Sequence, residues 1–238
     1  MSVVLSHLLA AYAVVLAPWL GCVFYQKARK RIAAGVPNAK LNLFRSIVVE
    51  QVVTIALVLA IWRGGRIPAA VLGLIAPHSW VLTAAVLAVI SGLLVWSSLK
   101  LRPKAEKLRA KLDDKVGALL PDLLQERRWF AAVSVGAGIS EELVFRGFLI
   151  YYFGAYIPQF NVLEKVLLTS LVFGLAHLYQ GRTAIVSTGL MGLALAGLYL
   201  MTGSLLLPVL VHAAVDARVL LIFPPPPDEA SAALAVGA

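Results

Sequence analysis

Along this chain the apolar residues do not alternate with polar ones. They come in long blocks, separated by short connections rich in Lys, Arg, Gly or Pro. Blocks of roughly 17 to 25 apolar residues can cross about 30 Å of hydrocarbon as helices, whereas a membrane barrel would show a period of two. About seven stretches meet the helical expectation: 3–24, 46–62, 80–99, 129–156, 162–179, 183–202 and 204–223. Trp19, Trp62, Trp80 and Trp129 lie near proposed ends, where interfacial aromatics collect.

Between blocks three and four, residues 103–128 mix Leu108, Leu112, Val116, Leu119, Leu120, Leu123 and Leu124 with many charges at helix-like spacing. This predicts an amphipathic cytoplasmic connector helix. The chain then divides into N-terminal helices with a basic cytoplasmic loop (1–102), the connector (103–128), a core (129–223) and a tail (224–238). Four consecutive prolines open that tail, which is expected to be disordered. The expected fold is an all-α polytopic membrane protein, about seven transmembrane helices with the last four forming a C-terminal core.

Composition sharpens this picture. With 61% hydrophobic and 14% charged residues and a mean hydropathy of +0.88, the chain lies outside the range of ordinary soluble domains. A removable signal peptide is not expected, because the first block lacks a basic lead-in and a small-residue cleavage site. The lone Cys22 excludes an internal disulfide and reads as a small buried hydrophobe.

The +9 net charge is informative through its placement. Lys27, Arg29, Lys30, Arg31, Lys40 and Arg45 follow the first block; Lys100, Arg102, Lys104, Lys107, Arg109, Lys111, Lys115, Arg127 and Arg128 follow the third. Basic loops are retained on the cytoplasmic side, which predicts an outside N-terminus and a cytoplasmic C-terminus. Contact with anionic lipid explains these residues more simply than nucleic-acid binding.

Against this background a few ionisable residues are costly. A charge near the bilayer centre costs about 2.5 to 3.5 kcal/mol on insertion scales, so such residues line cavities, find partners and mark function. They fall in three islands: Glu141, Glu142 and Arg146 in block four; Phe173 and His177 in block five; His212 and Asp216 in block seven. Glu142 and Arg146, four apart on one helix face, are expected to form an ion pair. Glu141 is rotated by about 100° from Glu142 and projects elsewhere. Phe173 can buttress His177, and Asp216 can fix the His212 tautomer or present a polar group to the cavity.

Three helices that converge on one hydrated pocket would place a carboxylate beside two imidazoles, a set able to activate water with Glu141 as the base. With a divalent metal such as zinc, Glu141, His177 and His212 form an N/N/O ligand set with an open position for water. Without one, Glu141 and His177 share the water while His212 and Asp216 steady the oxyanion. The residues leave both open.

The three islands, in order, resemble the motifs of the CAAX protease and bacteriocin-processing (CPBP, or Abi) intramembrane endopeptidases, a family that includes the type II CAAX prenyl endopeptidases. These motifs are Glu141-Glu142-x-x-x-Arg146, Phe173-x-x-x-His177 and His212-x-x-x-Asp216, and the resemblance covers about 129–223. It implies a protease core there, with Glu141 activating water, His177 and His212 as its catalytic partners, and Glu142 and Arg146 as a supporting pair.

The expected function is an intramembrane endopeptidase, glutamate- or metallo-type, acting on a membrane-associated and possibly prenylated peptide or protein, with its site open to the cytoplasm. A catalytically idle scaffold and a proton-coupled transporter are the alternatives. The transporter lacks the internal repeat expected of such folds.

Several residues fall outside this constellation. His7 and His78 lie near span ends and are read as interfacial, and Glu50 and Gln51 fall near the cytoplasmic start of the second block, where snorkelling suffices. At about 1.5 Å per residue, Glu141 lies roughly 18 Å beyond Trp129, and His177 about 7 Å before Arg182. On these spans the two groups should be level and are not.

Overall fold

The structure, a computed structural model, describes residues 2–112, 117 and 119–225. Apart from Pro224 and Pro225, the expected disordered tail lies outside them. The described residues form helices and no strand, and the chain is an all-α integral membrane protein.

Helix α1 runs over 2–33 as Ser2–Ala11, a π-helical turn Tyr12–Leu16, and Ala17–Ala33. The wide turn has a local cause. Pro18 has no N–H to give to the carbonyl four residues back, so the ladder adjusts just before it, and the Ala17 N–H bonds to Tyr12 O. Lys27, Arg29, Lys30 and Arg31 therefore belong to a helix rather than to the loop expected from residue 24 onward.

Helix α2 is Ala39–Gly65, seven residues earlier at its start than the block boundary suggested, and α3 is Trp80–Leu101. The Ser79 hydroxyl accepts from the Leu82 N–H at 3.2 Å and caps α3. The connector is not one amphipathic helix. Among the described residues it has a 3-10 turn Arg102–Lys104, the short helix α4 (Ala105–Arg109), and turns at 110–112 and 119–120, with 113–116 and 118 outside the description.

Helix α5 begins at Leu124 rather than Trp129. It runs as Leu124–Glu142, a π-helical turn Leu143–Phe148, and Leu149–Tyr156. The Glu126 carboxylate accepts from the Asp122 N–H at 2.9 Å and so ties down the entry. Helix α6, Val162–Ala176, opens on a reciprocal cap: Asn161 Oδ1 accepts from Glu164 N at 3.0 Å, and Glu164 Oε2 from Asn161 N at 2.7 Å. It stops at Ala176, not at residue 179. A 3-10 turn, Leu178–Gln180, leads into α7 (Arg182–Thr202), and α8 is Leu206–Ile222.

Among the described residues four segments can cross a membrane by length and composition: Val3–Ala33, Ala39–Gly65, Trp80–Arg109 and Arg182–Thr202. The seven expected spans thus separate into two kinds. Helices α5, α6 and α8, which carry the three polar islands, fall outside that set. They are held among the apolar helices, with α5 against α2 and α8, α6 against α7, and α8 against α3.

Two glycines permit the closest of these approaches. A Cβ at Gly138 would come within 2.7 Å of Val209 O on α8, and one at Gly174 within 2.5 Å of Ile185 O on α7. The core contains Phe148, Leu149, Phe173 and Leu207, all buried. Large apolar side chains such as Trp80 and Val81 remain exposed where lipid would lie.

Candidate active site

Glu141 and Glu142 end the regular part of α5 just before its π turn, and Arg146 sits inside that turn. The Glu142 carboxylate is fully buried and Arg146 is 1% exposed. Arg146 Nη1 donates to Glu142 Oε1 at 2.7 Å, and Nη2 donates to the Gly192 carbonyl of α7 at 3.0 Å. The guanidinium lies 4.6 Å from the Phe173 ring centroid. A buried charge keeps its place only when paired and hydrogen-bonded, and both conditions hold here.

Glu142 has a second partner. His212 Nδ1 stands 2.7 Å from the same Oε1. The carboxylate oxygen accepts, so Nδ1 carries a proton and Nε2 points away from Glu142. Asp216 does not fix this tautomer, because its Oδ2 lies 3.8 Å from Nε2, on the other side of the ring. Of the two sequence readings of Asp216, only the polar group beside the site remains. His177 is oriented from its own helix: Nδ1 lies 2.9 Å from Phe173 O, an acceptor, which fixes its proton there and leaves Nε2 free.

Both free imidazole nitrogens face Glu141. Its Oε2 is 4.0 Å from His177 Nε2 and 3.8 Å from His212 Nε2. That oxygen is buried and has no hydrogen-bond partner, and both nitrogens lie beyond direct hydrogen-bond distance from it. The Phe173 ring organises the cluster, with centroids 4.9 Å from His177, 5.8 Å from His212 and 5.0 Å from Phe145.

The depth mismatch disappears when both residues are counted from the loop that α5 and α6 share. His177 lies fifteen positions after Val162, and Glu141 fifteen before Tyr156, about 22 Å each. Arg182 is not level with Trp129, because α6 ends at Ala176 and the chain turns through Leu178–Gln180 before α7. Helix α6 simply stops beside the middle of α5.

Glu141 and His177 line a cavity of about 140 Å³, room for a few waters. Its other wall is N-terminal: Tyr12 and Ala13 from the π turn of α1, and Glu50 and Thr54 from α2. Glu50 is therefore not a snorkelling residue near a span start. It sits mid-helix, and its Oε1 accepts from the Tyr12 and Thr54 hydroxyls, each at 3.1 Å.

Neighbouring Gln51 is buried in the α2–α5 contact, where its amide donates to Val133 O at 3.0 Å. The missed signal was the pair Glu50 and Thr54, one turn apart in an apolar block. Of the other outlying residues, His7 bonds the Tyr152 hydroxyl at 2.7 Å, and the His78 ring packs over Gly203; neither lines the cavity.

Among the described residues no group of three His, Cys, Asp or Glu side chains is gathered closely enough to hold a metal ion. Glu141, His177 and His212 are the donor types of the expected N/N/O set, with Glu141 Oε2 at 4.0 and 3.8 Å from the two imidazole nitrogens.

Residues 124–218 match the family model described as Rce1-like, type II CAAX prenyl endopeptidase Rce1-like. The match runs from the start of α5 into α8 and spans all three polar islands. No curated protein and no solved structure matches the chain.

Proposed function

We propose that this chain is an intramembrane endopeptidase in which Glu141 activates a water for attack on a peptide carbonyl. One observation carries the reading: a buried, unpartnered carboxylate oxygen faces two imidazole nitrogens at 3.8 and 4.0 Å on the edge of a cavity. The Rce1-like match over the same helices supports it independently.

In the proposed cycle the water gives one hydrogen bond to Glu141 Oε2 and the other to His177 Nε2, which turns a lone pair toward the carbonyl carbon. Glu141 takes the proton as the C–O bond forms. His212, protonated on Nε2 as well as Nδ1, donates to the developing oxyanion, its positive charge balanced by Glu142 and Asp216. As the C–N bond breaks, Glu141 returns the proton to the leaving nitrogen. Arg146 and Phe173 act through Glu142 and the two rings and are positioning residues.

The substrate is a membrane-associated peptide or protein, prenylated at a CAAX-type terminus in the form the family match suggests. The cavity opens toward the cytoplasm in the orientation set by the basic loops, with the N-terminus outside.

Replacing the base while keeping its shape is the direct test. Glu141→Gln should lower cleavage of a lipid-anchored reporter peptide by at least about a hundredfold, the scale of a lost general base, with an unchanged detergent melting curve. Full turnover in a folded Glu141→Gln protein would overturn the assignment. Turnover that vanishes on exhaustive chelation and returns with zinc would replace the glutamate-type mechanism by a metal-assisted one.

A further inference from the structure

Glu50 is a second carboxylate lining the cavity that bears Glu141, on its N-terminal wall, and neither the family-matched segment nor the proposed cycle uses it. It belongs to α2, well inside a 27-residue helix apolar enough to span a membrane. Two hydroxyls, Tyr12 and Thr54, donate to its Oε1, which orients the group as an acceptor. Neither reaches Oε2.

Among the described residues no Lys, Arg or His lies within ion-pair distance of this carboxylate. The contrast with Glu142 is direct. Glu142 has Arg146 at 2.7 Å, while Glu50 has oriented hydroxyls and no counter-charge.

A carboxylate at membrane depth requires either a partner or a hydrated cavity with an occupant. Besides Glu50, Glu141, His177 and the hydroxyl-bearing Tyr12, Thr54, Ser140 and Tyr179, the lining is apolar, with Leu9, Ala13, Val144 and Phe145 among it. The cavity therefore has two negative groups and an apolar lining, a surface complementary to a positive charge on an aliphatic stem.

We propose that Glu50 is a specificity-determining residue that receives a basic side chain of the substrate peptide next to the scissile bond. This deepens the endopeptidase reading and rests on it. Peptide bound with its carbonyl at Glu141 has one flank against α1 and α2, and a Lys or Arg on that flank reaches the free Oε2. The apolar stem lies along Leu9 and Ala13 of α1. The N-terminal helices thereby contribute selection, while the C-terminal ones contribute hydrolysis.

The test uses the full-length protein in detergent and short N-palmitoylated peptides in which a single Lys, its uncharged isostere norleucine, or Glu is stepped along the sequence. At one register, Lys should raise kcat/KM about tenfold over norleucine, the size of one charge-assisted hydrogen bond. Glu50→Gln should erase that ratio without lowering turnover of the norleucine peptide, and Glu50→Lys should transfer the preference to the Glu peptide. The same ratios should appear as binding affinities in the inactive Glu141→Gln background, so the proposal can be judged even if the parent cleaves nothing.

Equal handling of Lys and norleucine at every register, in both cleavage and binding, would overturn the Glu50 assignment and leave the hydrolase reading standing. Loss of cleavage alone, with the binding preference intact, would do the reverse.

Discussion

At the residue scale the site depends on one shared oxygen. Glu142 Oε1 accepts from both Arg146 and His212, each at 2.7 Å, so a single carboxylate neutralises a buried guanidinium and sets an imidazole tautomer. Glu142→Gln should damage stability and activity together. Breaking a buried pair by removing one partner costs about 3 to 5 kcal/mol, and an amide can turn its NH₂ toward His212 Nδ1 and spoil the tautomer. Thermal melts in detergent, with turnover measured on the surviving folded fraction, should both fall below the parent; a mutant as stable and active as the parent would deny Glu142 its double role.

The residue scale is also where the sequence was most legible. Four-residue spacing on membrane helices was enough to bring out Glu142 with Arg146 and Phe173 with His177. The His212–Glu142 contact is 70 positions apart in the chain, and helix periodicity is silent about such a distance. Glu50 was misplaced because its span was drawn too short, from residue 46, which put a mid-helix acid near an end.

At the element scale, short helices and small residues do the positioning. Helix α6 has fifteen residues, and its C-terminal end delivers His177 beside the middle of α5. Its register against α7 rests on Gly174, whose absent side chain lets Ile185 O come close. Gly174→Val should push α6 off α7, shift Phe173 and His177 away from Glu141, and lower turnover more steeply than it lowers expression. Substitution of Gly197, where a Cβ meets nothing within 4 Å, is the matched control and should leave turnover within about twofold of the parent, as surface changes usually do. Hydropathy located these helices but not their starts, since the first turns of α5 and α6 are settled by side-chain caps at 122–126 and 161–164 rather than by an apolar count.

At the scale of the whole molecule, the connector binds the two halves on the basic side. Lys40 of α2 donates to Asp122 at 2.6 Å and to Leu120 O at 2.7 Å, and Arg109 pairs with the same Asp122. Arg127 donates to Phe223 O and Leu220 O, each at 2.6 Å, which closes the end of α8.

Burial alone would push the Asp122 carboxyl up, but Lys40 and Arg109 outweigh it and hold the group below the ordinary carboxylate range. A group whose pKa falls on folding contributes stability above its unfolded value and loses it as pH drops through the folded one. Asp122→Asn should therefore melt lower than the parent at neutral pH, with the gap closing below about pH 4. A gap that persists unchanged into acid would mean that the clasp is not electrostatic. None of this clasp was visible in the sequence, where the connector read as a single amphipathic helix and its basic residues as contacts for anionic lipid.

Helix α6 climbs only about 22 Å and carries a reactive imidazole at its upper end. Acyl chains that pack around the enzyme must thin locally or leave the top of α6 to water, at a fraction of a kcal/mol for each ångström of mismatch. On the endopeptidase reading, lipid chain length becomes a rheostat for turnover: vesicles of shorter phosphatidylcholines should support faster cleavage than long-chain ones at equal fluidity, so the thickness of the membrane that holds this protein sets its pace.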